Sequence, residues 1–198
     1  MNLIALARGA MQVAQSRKSE IVALSGIGEA LVPTITLTSG EDVTAVARFE
    51  WDTAARALTT VRSVIALLEC NVAMVALEAF HKSGPPEEMA APEDYAQAFA
   101  DGDQRVRESI VVYASDSEGN DCIASCTYEY EGRSVVYSDI SYSMGSDASD
   151  GALTSAIRSG FSCQQRTPTV DARDVAEMLG IVVIVPHRTQ QQEAGPNV

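Results

Sequence analysis

The chain has 198 residues, 46% of them hydrophobic and 21% charged, and a formal net charge of −13. That balance supplies enough apolar surface for one core and argues against wholesale disorder. It also argues against direct binding of nucleic acid or anionic membrane, which a negative field repels. The longest apolar candidate for a membrane span, Val61 to Phe80, is interrupted by Arg62, Glu69, Asn71 and Glu78, short of the ~20 apolar residues a span requires. A soluble single domain over 1–186 is predicted, followed by a polar, mobile tail over 187–198.

At the start of the chain, Leu3, Ile4, Ala7, Ala10, Met11 and Ala14 recur at spacings of three and four, which predicts a helix with one buried face. The arginine-bearing, acid-poor start also fits an organelle transit segment, the less favoured reading. "EIVAL" (20–24) is expected to be a short strand. The following "SGIGEAL" raises the question of a phosphate-binding loop, but the third glycine is replaced by Leu31 and no helix pattern follows, so a plain turn is expected at Gly26 and Gly28. "LVPTITLTS" and "VTAVARFEW" alternate β-branched or aromatic residues with others across "SGED", predicting a hairpin over 31–51. From Thr53 to Glu69 the apolar period returns to three and four, with Asp52 placed as cap. "NVAMVALEAFHKS" is apolar at both alternating positions and reads as a strand buried on both faces.

An acidic, proline-containing excursion with one short helix comes next. Three strand-like runs then follow, Arg105 to Ser115, Asp121 to Tyr130 and Arg133 to Tyr142, separated by glycine-containing turns. They predict an antiparallel meander over 105–142. A helix of about ten residues is expected to be capped by Asp147, Ser149 or Asp150 and ended by Gly160. A shorter helix runs from Asp171 to Gly180, and "IVVIV" is a strand stopped by Pro186. The fold class is therefore α+β: a mainly antiparallel sheet with helices on at least one face. The run from "VAMVALEAFHKS" through "GDQRVRESIVVYASDSEGN" to Tyr142 resembles uncharacterised accessory proteins of bacteria and their phages. That resemblance implies the strand at Val72 and the meander pairing, and it carries no function.

Four cysteines, Cys70, Cys122, Cys126 and Cys163, without a secretory signal point to reduced thiols and a cytoplasmic setting. On one strand Cys122 and Cys126 would lie about 13 Å apart, beyond the ~7 Å limit for a disulfide. With only His81 and His187 to add, no zinc set forms, and no metal or cofactor is expected. "DSEGND" lacks the closing glutamate of a calcium loop. No Gly-x-Ser-x-Gly elbow is present, and His187 sits beside the tail.

Glu78 is the anomaly, a carboxylate among Met74, Ala76 and Phe80 on one strand face, and it needs a partner. Arg105 and Arg107 are the expected partners, in a partly buried salt bridge. The functional alternative is a small enzyme or small-ligand-binding protein with a pocket where Glu78, His81, Arg105 and Arg107 converge, although on a regular strand Glu78 and His81 point to opposite faces. Glu108 is expected to face away from Arg107.

Charge is unevenly distributed: between Pro85 and Asp150 the chain carries 15 acids and three arginines, so this stretch holds −12 of the total −13. This favours a non-enzymatic accessory protein, phage-related only as the resemblance above implies, that docks a basic protein partner through Glu118, Asp121, Glu129, Glu131 and Asp139, in the manner of a nucleic-acid mimic. Self-association is the further expectation.

Overall fold

A computed structural model describes residues 2–82, 95–145, 151–164 and 169–186. The proline-containing stretch over 83–94, the caps expected at Asp147, Ser149 and Asp150, and the tail with His187 lie outside these residues. The described elements form an α+β fold, in which five helices flank an eight-stranded antiparallel sheet.

Helix α1 (Leu3–Ser25) begins at Asn2, whose side chain accepts from the Ala5 amide, and its buried stripe is Leu3, Ala7, Met11, Ala14, Lys18 and Val22. The stripe absorbs "EIVAL", so the strand expected at 20–24 does not form. Val22 falls four residues after Lys18, and burying it under the helix outweighs the β-propensity of Ile21 and Val22. The plain turn expected at Gly26 and Gly28 is present, and it follows the C-terminal end of a helix, where orphan carbonyls repel an anion. Strands β1 (Thr34–Ser39) and β2 (Asp42–Arg48) form the expected hairpin.

Helix α2 (Ala54–Leu67) is capped by Thr53, not Asp52; the Asp52 carboxylate accepts from the Thr53 amide and pairs with Arg56. Strand β3 (Val72–Lys82) is buried on both faces over its first half, as its double apolar pattern predicts. A short helix α3 (Tyr95–Ala100) precedes β4 (Val106–Asp116) and β5 (Asp121–Glu131).

The third run of the meander is two strands, β6 (Ser134–Tyr137) and β7 (Ser141–Met144), both paired with β5. Tyr137 lies opposite Tyr128, whereas Tyr142 lies opposite Ala124, so the register advances by one residue across 138–140. Ser138 holds this bulge by bonding Thr127 twice, through its own amide to the carbonyl and through its hydroxyl from the amide. A one-residue shift moves side chains to the other sheet face. Here it lets Tyr137 and Tyr142 both reach α1.

Helices α4 (Ala152–Gln164) and α5 (Ala172–Leu179) and strand β8 (Val182–Ile184) complete the described chain. Gly160 does not end α4. It lies inside the helix where a Cβ would stand 2.7 Å from Ile65 Cβ on α2, so it permits close helix approach. The sheet order is β6-β5-β4-β3-β1-β2-β8, with β7 also on β5. On one face, Ile35, Leu37, Ala45, Ala47, Ala73 and Val75 form a core with α2, α4 and Val175 of α5. On the other, Val72, Met74, Ala76, Ile110, Val112, Cys122 and Cys126 pack beneath α1.

Candidate functional site

Glu78 extends the line of Val72, Met74 and Ala76 toward α1, and Lys18 descends from that helix to meet it at 2.7 Å. The pairing with Arg105 or Arg107 expected from the sequence is not formed. Arg105 binds Asp103 and Arg107 binds Glu129. Glu78 also accepts from the Leu31 amide (2.9 Å) and the Tyr128 hydroxyl (2.8 Å). The Lys18 ammonium donates to the Glu29 carbonyl and lies over the rings of Tyr128 and Tyr130.

Lys18 is only 1% exposed. Burial alone would lower its pKa, but the Glu78 carboxylate outweighs this and holds it above the usual lysine range. The Lys18 ammonium and the Glu78 carboxylate are thus engaged with each other and with the Leu31 amide, the Tyr128 hydroxyl and the Glu29 carbonyl. The group ties α1 to the sheet.

His81 lies on the opposite sheet face from Glu78, so the four residues grouped from the sequence do not converge. His81, Arg105 and Arg107 line an open polar recess with Ser109, Ser125, Thr127 and Asp139. Its hydroxyls serve the fold: Ser109 donates to the Ala79 carbonyl, and Ser125 and Ser141 bond each other. Among the described residues no three His, Cys, Asp or Glu side chains are grouped as metal ligands. Burial pushes the Cys70 thiol up to about 12 and raises those of Cys122 and Cys126, which suits inert core cysteines.

The acidic residues singled out from the sequence occupy both ends of β5. Asp121 is held by Arg158 and Ser115, and its side chain is 2% exposed. Glu118 stands in the β4–β5 turn, at the same end. Glu129 and Glu131 lie at the far end of β5, roughly 30 Å away at the rise of a strand. Asp139 stands in the β6–β7 bulge, and Glu108 faces Tyr128, away from Arg107.

A cavity of about 280 Å³ lies where α1 packs on β3 to β6 and overhangs the same sheet face of the β1–β2 hairpin. Leu6, Ala10 and Val13 form its helix wall, and Val43, Val46, Met74 and Ala76 line the sheet side. Thr34, Thr36 and Thr38 run along its floor, and the Thr38 hydroxyl is buried without a partner. Arg17 stands at the Thr34 end, its guanidinium 3.4 Å from the Thr34 hydroxyl, and Glu41 stands at the Thr38 end. Arg48 lies directly across from Thr34 but outside the groove lining, on a neighbouring recess with Val32, Phe49 and Glu50, and its Nε is likewise buried and unpartnered.

The sequence pattern did not single out this groove. The readable signal was the second stripe of α1, Leu6, Ala10, Val13 and Arg17, one position round from the core stripe. Comparison with protein-family models, with curated proteins and with solved structures returns no match. The described helices include none long and apolar enough to cross a membrane.

Proposed function

We propose that this protein is a non-catalytic binding protein that seats a small, largely apolar molecule between α1 and the β1–β2 hairpin. One observation carries this reading. A preformed apolar groove lies beside an otherwise closed core, and a buried threonine hydroxyl on its floor has no protein partner. Small-molecule sites are concave, mainly apolar and furnished with a few polar groups, and ~300 Å³ is the lower end of their size range.

The test uses a neutral solvatochromic dye such as Nile red with the full chain. Saturable one-to-one binding is expected, and Ala10→Phe, which fills the groove, should abolish it while circular dichroism and the melting temperature stay as in the wild type. Unchanged dye binding by a folded Ala10→Phe variant would place the ligand elsewhere.

A second reading, docking of a basic protein, is supported by the exposed Glu129, Glu131 and Asp139 and by the charge of their segment. Its measure is the affinity of a defined lysine-rich peptide at low and high salt. Affinity unaffected by salt and by the triple variant Glu129→Gln, Glu131→Gln, Asp139→Asn would exclude it.

A further inference from the structure

The geometry points to a narrower ligand class for the same groove: a single-chain amphipathic carboxylate, with its head at Arg17, on the side facing Arg48, and its tail between α1 and the threonine floor. This rests on the groove reading above and adds a head group and a direction.

In a chain of net charge −13, two arginines standing together without an ion pair are unusual. Neither Arg17 nor Arg48 forms an ion pair among the described residues, and the only acidic neighbour acting on Arg17 is Glu20, one turn along α1. Burial first, and the nearby Arg48 second, lower the Arg17 pKa, so the two cations repel each other in the empty protein. An anion held by Arg17 would relieve that repulsion. Guanidinium groups offer carboxylates a two-pronged donor geometry that suits such a head.

The opposite end fixes polarity. Glu41 repels an anion there, so the tail points toward the hairpin turn. From Thr34 to Thr38 the floor runs about 13 Å, which fits a medium-length chain lying extended. Leu6, Val13, Val46 and Met74 present the apolar surface such a chain would cover.

The experiment is calorimetric titration of the full chain with decanoate, decanol and decylammonium, each kept below its micelle concentration. Decanoate should bind one per chain and about tenfold or more tighter than decanol, the effect of a charge-assisted bond. Arg17→Gln should erase that advantage, bringing decanoate to the affinity of decanol, whereas Arg62→Gln on the other sheet face should preserve it. Glu41→Gln, at the far end of the groove, should tighten decanoate by less than about twofold.

Equal binding of decanoate and decanol would overturn the carboxylate inference and leave the groove reading standing. Preference for decylammonium would overturn it too, by placing the head at Glu41. Failure of all three to bind, with Nile red also rejected by the folded wild type, would overturn both.

Discussion

The two flanks of α1 meet the same sheet face and differ completely. Toward β3, β4 and β5 the helix is sealed by the Lys18, Glu78 and Tyr128 group and by Met11 against Cys126. Toward β1 and β2 it leaves the groove. A flank closed by an ion pair with several further hydrogen bonds holds the helix in place, and a helix so held can keep a groove open beside it.

Breaking the sealed flank should therefore have the largest effect. Lys18→Met leaves Glu78 without its counter-charge in a partly buried site, and removing one partner of such a pair costs about 3–5 kcal/mol. Chemical denaturation should read that loss. Lys18→Met combined with Glu78→Leu should recover much of it, because neither charge is then stranded. The pH dependence has a definite sign: the folded pKa of Lys18 is raised, so its contribution is fully present below the ordinary lysine pKa and is lost as pH rises through the folded value. The wild-type advantage over Lys18→Met should thus stay constant between about pH 7 and 9 and shrink only in strong alkali.

The opposite sheet face gives the next largest effect. There α4 meets α2 at Gly160, and Gly160→Val would drive a branched side chain into Ile65 and the Arg62 carbonyl. Overpacking of this kind costs about 1–3 kcal/mol. A fall in the denaturation midpoint with dye binding retained would show that this core and the groove are separable.

The comparison also explains what the sequence made legible. Alternation and period change placed the hairpin, α2, the doubly buried β3 and the first two meander strands, because each follows from its own local pattern. Local patterns mislead where a distant element decides. "EIVAL" has strand composition and becomes helix because Val22 completes a stripe begun at Leu3. The β6–β7 bulge exists because Tyr137 and Tyr142 must both face a helix remote in sequence.

Glu78 was legible as a carboxylate in need of a cation. Its partner becomes legible only when the helical stripe from Leu3 to Ala14 is carried four residues further, which places Lys18 on the buried face. Arg17 and Arg48 belong to elements separated by the whole hairpin, and only the pairing of Arg48 with Thr34 brings them together.

Within the groove smaller effects of opposite sign are expected. The Thr38 hydroxyl is buried with no partner, so Thr38→Val removes an unsatisfied group at nearly constant shape and should raise stability by about 1 kcal/mol. Differential scanning calorimetry on the ligand-free protein checks this. A loss of stability would mean that the hydroxyl has an acceptor within the empty protein.

The smallest effect separates the flanks most directly. Gly9 and Ala7 lie two residues apart on α1; Ala7 is fully buried on the sealed side, while a Cβ at Gly9 meets no atom within 4 Å. Gly9→Ala removes backbone freedom from the unfolded chain without a steric penalty, so it should stabilise by roughly 0.5–1 kcal/mol. Ala7→Leu adds volume where none is available and should destabilise. Melting temperatures that move in opposite directions are the expected result. If Gly9→Ala instead lowers the melting temperature, the helix must sit against the hairpin and the groove is closed in the free protein. Both ligand proposals would then lose their site, because each needs that space to exist before anything binds.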